Sequence, residues 1–141
     1  MENKTAKTAE SISQKKATSP LKVLIVEDST VQAEMYRLVF AKRRAELVFA
    51  ANGLEAVQAL SRENQFDLIV SDVNMPEMNG IELLTMVKRT GMAKCPVIVI
   101  STRDNLPVLE EAVKNQVATH YVVKPWNLRQ MWDLIGQILP E

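Results

Sequence analysis

Beyond residue 20 the chain alternates between two hydrophobic patterns. Short continuous apolar runs suit strands covered on both faces; stretches where apolar residues return every three or four positions suit helices with one buried stripe. The first run, Lys22-Val23-Leu24-Ile25-Val26, is a predicted strand that leads directly into Glu27-Asp28-Ser29. Asp28 or Ser29 then serves as the cap of a helix starting near Thr30, marked by Val31, Met35, Leu38 and Val39. Lys42-Arg43-Arg44 are expected in its last turn, where cations suit the helix dipole. Residues 46–50 form a second strand, Asn52-Gly53 a turn, and Leu54, Val57, Ala59 and Leu60 mark a second helix.

The third run, Leu68-Ile69-Val70, is the central one. It ends at Ser71-Asp72, and Pro76 pushes Met75 out of the helical region, so the chain must loop there. A third helix is predicted over residues 80–90, with Gly91 as its stop. Residues 97–100 form a fourth strand with Ser101-Thr102 at its exit, and Pro107 fits the first turn of a helix reaching about residue 115. Residues 120–123 form a fifth strand ending at Lys124-Pro125. A last helix covers about 127–139, with Leu128, Met131, Trp132, Ile135 and Leu139 on one face. Five strand–helix units demand a parallel sheet with helices on both faces. Right-handed crossovers and five strands fit the doubly wound order 2-1-3-4-5.

That order puts the carboxyl ends of strands one, three, four and five around one crevice. Glu27, Asp28, Asp72, Ser101 and Lys124 therefore share a rim. Each has a plain alternative: a helix cap for Asp28, a solvated charge for Glu27, a turn former for Asp72, loop or surface chemistry for Ser101 and Lys124. Their joint placement at strand exits favours a shared function. Three anions packed together need a compensating cation, and Mg²⁺ suits oxygen ligands. Mg²⁺ also bridges carboxylate and phosphoryl oxygens. Lys124 offers a point charge and Ser101 a hydroxyl to a phosphoryl group, leaving Asp72 as the nucleophile.

Composition narrows the partners. The chain has 141 residues, 17 basic and 17 acidic, so no global field attracts nucleic acid or anionic lipid. The single cysteine, Cys95, excludes an intrachain disulfide. No apolar signal core or membrane-length run is present, and the expectation is a soluble, cytoplasmic protein. Residues 1–20 are polar, with Ile12 as the only bulky aliphatic side chain after Met1. They read as a disordered tail before a domain spanning 21–141, with a docking arm or unstable helix as the alternative.

Four segments in order carry a resemblance: Val23-Leu24-Ile25-Val26-Glu27-Asp28-Ser29, then Ser71-Asp72-Val73-Asn74-Met75-Pro76-Glu77-Met78-Asn79-Gly80, then Pro96-Val97-Ile98-Val99-Ile100-Ser101, then Tyr121-Val122-Val123-Lys124-Pro125. From residue 21 to about residue 140 the chain resembles the receiver domain of bacterial two-component response regulators, in its stand-alone, chemotaxis-regulator-like form. The resemblance implies a flavodoxin-like (βα)5 sandwich. It implies that Glu27, Asp28, Asp72 and the backbone carbonyl of Asn74 bind Mg²⁺. It further implies that Asp72 takes phosphate from a sensor histidine kinase or phosphotransfer protein, with Ser101 and Lys124 contacting the phosphoryl group. The Lys124-Pro125 bond is expected to be cis. Ser101 and Tyr121 would form the switch, altering a face of the fourth helix, fifth strand and fifth helix that binds a downstream protein. The expected molecule has no output domain, binds no nucleic acid or membrane, is a monomer or a phosphorylation-dependent dimer, and catalyses only its own phosphoryl transfer and dephosphorylation.

Departures from the family's pattern are Thr102, where a small residue is usual, and the loop of residues 116–120, which lacks a glycine near Val117. Arg103 and Asn74 stand at variable positions near the site mouth. His120, the only histidine, lacks a ligand partner and reads as a loop residue; Cys95 reads as a small apolar filler, and Trp132 as a packed core aromatic. Trp126, next to the Lys124-Pro125 turn, is placed near the rim. Two other classes compete. A phosphohydrolase with an aspartyl-phosphate would carry a second acid where Asn74 stands, and a cap insertion. A flavodoxin-like electron carrier would need a phosphate-cradling loop where Glu27-Asp28 repel a flavin phosphate.

Overall fold

The computed structural model describes residues 20–141 apart from 64 and 76. The expected tail lies outside the described residues except for Pro20.

Five parallel strands form one sheet: β1 (Leu21–Val26), β2 (Ala45–Ala50), β3 (Leu68–Asp72), β4 (Val97–Thr102) and β5 (His120–Lys124). Their order is β2-β1-β3-β4-β5, as the alternation predicted. The helices between and after them are α1 (Thr30–Val39), α2 (Gly53–Arg62), α3 (Gly80–Thr90), α4 (Leu106–Lys114) and α5 (Leu128–Ile138), with a short 3-10 turn over Arg103–Asn105 before α4. No helix among the described residues is long and apolar enough to cross a membrane.

Strand alternation divides the core into two layers. Leu24, Val26, Ile69, Val97 and Val99 pack with residues of α2, α3 and α4. Leu21, Val23, Ile25, Leu68, Val70, Ile98, Ile100 and Val122 pack with residues of α1 and α5. Continuing that parity to the strand ends sends Glu27, Asp72 and Lys124 toward the α1/α5 layer and Ser101 toward the other.

Side-chain caps start four helices. Ser29, Asn52, Asn79 and Asn127 each accept a backbone N–H from the first turn of α1, α2, α3 and α5, and Asn79 with Glu82 completes a capping box. Ser29 thus does the capping that Asp28 could have done. Gly91 ends α3 in the left-handed conformation at φ 70°.

Four expectations need correction. Lys42-Arg43-Arg44 are not in the last turn of α1: the helix ends at Val39, where Phe40 turns into the core, and the three cations lie in the turn to β2. Val31 and Leu38 are exposed; α1 buries Val39, as expected, together with Tyr36. Trp132 is not packed in the core but 44% exposed. The buried stripe of α5 is centred on Met131 and Ile135, and Trp132 sits about 100° round from Met131, on its flank. There it lines a groove with Leu38 and Leu128, and the Arg129 guanidinium lies 5.9 Å from its ring centroid. His120 is the first residue of β5 rather than a loop residue.

The loop that lacks the expected glycine keeps the usual geometry without it. Gln116 adopts φ 62°. Its N–H reaches Val113 O at 3.0 Å and the Val117 N–H reaches Ala112 O at 2.9 Å, the paired bonds of a Schellman helix stop.

Candidate functional site

Glu27, Asp28 and Asp72 converge at the carboxyl edge of the sheet. Each offers a carboxylate oxygen, and the three oxygens lie within 4.8 Å of one another. β1 and β3 are neighbours at the point where the strand order reverses, with Val26 paired to Ser71, which brings these residues together. Glu27 and Asp72 are buried, whereas Asp28 is exposed.

Asp72 uses its two oxygens differently. Oδ2 accepts a hydrogen bond and ion pair from Lys124 Nζ at 3.0 Å. Oδ1 is buried without a hydrogen-bond partner among the described residues. An orphaned carboxylate oxygen is costly and calls for a cation or donor. With two further hard oxygen donors beside it, the cluster fits Mg²⁺. Burial, and then the Asp72 charge, push the Glu27 carboxyl above its ordinary pKa; the Ser29 N–H, 3.1 Å from Glu27 Oε2, and Lys124 act in the opposite direction.

Ser101 is the penultimate residue of β4, one beyond Ile100, which pairs with Asp72. Its hydroxyl oxygen is buried and accepts from Asn105 Nδ2 at 2.8 Å, with Asn74 Nδ2 at 3.4 Å. Thr102, by alternation, leaves on the opposite face, and its hydroxyl donates to Asp104. Tyr121 lies on β5 paired with Val99 and is exposed. The Lys124–Pro125 peptide is cis, as expected, and Trp126 lies in the core beneath the rim. Its ring packs against Tyr36 at 5.1 Å between centroids. Burial, with Glu27 and Asp72 adding to it, drives the Tyr36 hydroxyl pKa far upward, so this ring lies under the acidic cluster as a neutral phenol.

Three contributors escaped the sequence reading. Tyr36 is one; its position in α1 is set apart by nothing in the helical spacing. Asn105 is another, since its place before Leu106-Pro107 suggests only a helix start. Gly80 is the third: a β-carbon there would lie 2.2 Å from the Asp72 carbonyl oxygen, so only glycine lets α3 begin this close to the rim. A cleft of about 580 Å³ opens beside the rim, lined among others by Asp28, Thr30, Glu34, Phe49 and Glu55.

Residues 23–136 match the family model described as the response regulator receiver domain. Sporulation initiation phosphotransferase F of Bacillus subtilis is 30% identical over 119 residues, covering 84% of this chain and 94% of that protein. The two-component response regulator ORR11 of Oryza sativa subsp. japonica is 30% identical over 122 residues, covering 86% of this chain and 83% of that protein. Among solved structures, the chemotaxis response regulator CheY4 of Vibrio cholerae superposes with a TM-score of 0.74 at 32% identity, covering 86% of this chain and all, 100%, of that one. The sheet order, the residues gathered at its carboxyl edge and these matches agree: the chain belongs to the response regulator receiver domain family of two-component systems.

Proposed function

We propose that this chain is a phosphorylation-controlled switch in which Asp72 accepts a phosphoryl group from the phosphohistidine of a sensor histidine kinase or phosphotransfer protein. A carboxylate oxygen of Asp72 bonds to phosphorus as the P–N bond of the donor breaks; the imidazole nitrogen keeps the electron pair and takes a proton from solvent. Glu27, Asp28, Asp72 and the Asn74 carbonyl are the ligands for Mg²⁺, which supplies charge neutralisation on the transferring group. Lys124, already on Asp72, holds a phosphoryl oxygen by its ammonium, and Ser101 offers a hydroxyl proton to another. The Tyr36–Trp126 pair packs beneath the rim.

The observation that carries this reading is the divided use of Asp72: one oxygen is held by Lys124 at 3.0 Å, and the other is buried and unpartnered among the described residues. Exposed Tyr121 is the starting point of a switch whose ring turns inward once Ser101 engages the phosphoryl group. That biases a pre-existing equilibrium on the α4–β5–α5 face, which binds a downstream protein. The chain then acts in the cytoplasm as a signalling module that turns over only its own phosphoryl group.

Incubation with acetyl phosphate and Mg²⁺, followed by peptide mapping, tests the assignment. The expected label is stoichiometric, requires Mg²⁺, maps to Asp72 and is absent from Asp72→Asn. Full labelling of Asp72→Asn on a peptide lacking residue 72 would overturn it.

A further inference from the structure

Four asparagine side chains stand immediately before helices or their first turns, and one behaves differently. Asn52, Asn79 and Asn127 turn their carbonyl oxygens onto the first-turn N–H groups of α2, α3 and α5. Asn105 precedes α4 and makes no side-chain cap bond. Its amide instead reaches back to the rim and donates to Ser101 Oγ at 2.8 Å. A favoured capping residue has given up its cap for this contact.

The geometry limits what the Ser101 hydroxyl can do. A serine hydroxyl has two acceptor lone pairs and one proton. Asn105 Nδ2 fills one lone pair, and Asn74 Nδ2 faces the same oxygen at 3.4 Å. Amide N–H groups accept nothing, so the proton cannot be spent on either neighbour. Both bonds at this buried oxygen are accepted ones, and the proton is left for a partner at the rim.

We infer that Asn105 is a positioning residue: it holds the Ser101 oxygen as an acceptor, reserves the hydroxyl proton for a phosphoryl oxygen on Asp72, and ties that hydroxyl to the residue immediately before α4. This rests on Asp72 being the phosphoacceptor. Asn105 touches no reacting atom, and its effect passes through Ser101. Because it directly precedes Leu106, any movement of the hydroxyl toward the phosphoryl group pulls on the start of α4. The link from rim to partner face therefore includes an amide as well as an aromatic ring.

Labelling rates with acetyl phosphate and Mg²⁺ test this in wild type, Asn105→Ala, Asn105→Asp, Ser101→Ala and the Asn105→Ala/Ser101→Ala double variant, with thermal melts confirming that each folds. Losing one hydrogen bond should slow labelling of Asn105→Ala about two- to tenfold. In the Ser101→Ala background the same change should have no further effect, because the two act as one unit. Asn105→Asp keeps the shape but can only accept, so it takes the Ser101 proton and labels more slowly than Asn105→Ala. Equal slowing by Asn105→Ala with and without Ser101, or wild-type labelling of Asn105→Asp, overturns the positioning role while leaving Asp72 as acceptor. Absence of label at Asp72 in the wild type removes both.

Discussion

Gly80→Ala gives the sharpest test of how α3 is set against the rim. A β-carbon at residue 80 would lie 2.2 Å from the Asp72 carbonyl oxygen, 3.0 Å from its carbonyl carbon and 3.1 Å from Ser71 Oγ. Carbon and oxygen need roughly 3.3 Å, so about 1 Å must come from moving backbone, since no flexible side-chain end can yield. The Asp72 carbonyl also accepts from Ser71 Oγ at 3.0 Å, and the Gly80 N–H is bonded to Val73 O at 2.8 Å. Helix propensity acts in the opposite direction, favouring alanine by up to about 1 kcal/mol. Overpacking of this kind costs about 1–3 kcal/mol, so the contact should win by up to about 2 kcal/mol. Gly136 is the internal control. It lies in α5 with nothing among the described residues within 4 Å of an added β-carbon, so Gly136→Ala should stabilise by about 0.5–1 kcal/mol. Urea denaturation should therefore give opposite signs for the same chemical change. A displacement of about 1 Å at Asp72 should also slow acetyl phosphate labelling by on the order of 10–100-fold in Gly80→Ala. If Gly80→Ala were as stable as wild type and labelled at the same rate, the close approach would have no consequence and the reasoning would fail.

Gln116 holds φ 62° in the α4 stop; glycine there removes a left-handed penalty of about 1 kcal/mol, so Gln116→Gly should raise the urea midpoint without altering labelling. Burial and the Asp72 charge raise the Glu27 pKa. In metal-free buffer, its contribution to stability is therefore full below the ordinary glutamate value of about 4.3 and lost as pH rises through the raised value. Glu27→Gln, which keeps an oxygen for the Ser29 N–H, should be more stable than wild type near neutral pH, with the gap closing toward pH ~4; denaturation across pH in a chelator measures it. Met131 is fully buried and Trp132 is not. Met131→Ala should cost about 2–5 kcal/mol and Trp132→Ala within about 0.5 kcal/mol, and equal losses would place Trp132 in the core after all.

Much was legible along the chain because it depends on local rules. Apolar runs and helical spacing reveal strands and helices wherever burial repeats with the period of the element. The Asn79-Gly80 start and Gly91 stop of α3 follow from capping chemistry and backbone freedom. Crossover handedness and strand number leave few topologies, so the meeting of Glu27, Asp28 and Asp72 at one edge could be read without coordinates. The errors came where periodicity leaves a choice. Trp132 and Leu128 belong to an apolar pattern wider than the strip α5 buries, and Val31 and Leu38 mark a side of α1 that the core does not reach. Which part of a broad apolar arc faces inward depends on how neighbouring helices sit, which spacing does not encode.

The sequence alone, then, determined the order of elements, the sheet and the acidic rim, because each follows from interactions between near neighbours or from a short set of chain-crossing rules. Tertiary structure decided how single atoms at that rim are used: which Asp72 oxygen Lys124 takes, why residue 80 has no side chain, and that Asn105 leaves its helix to hold Ser101. Those outcomes rest on contacts of about 3 Å between residues up to 52 positions apart, and only the packed sheet sets distances that fine.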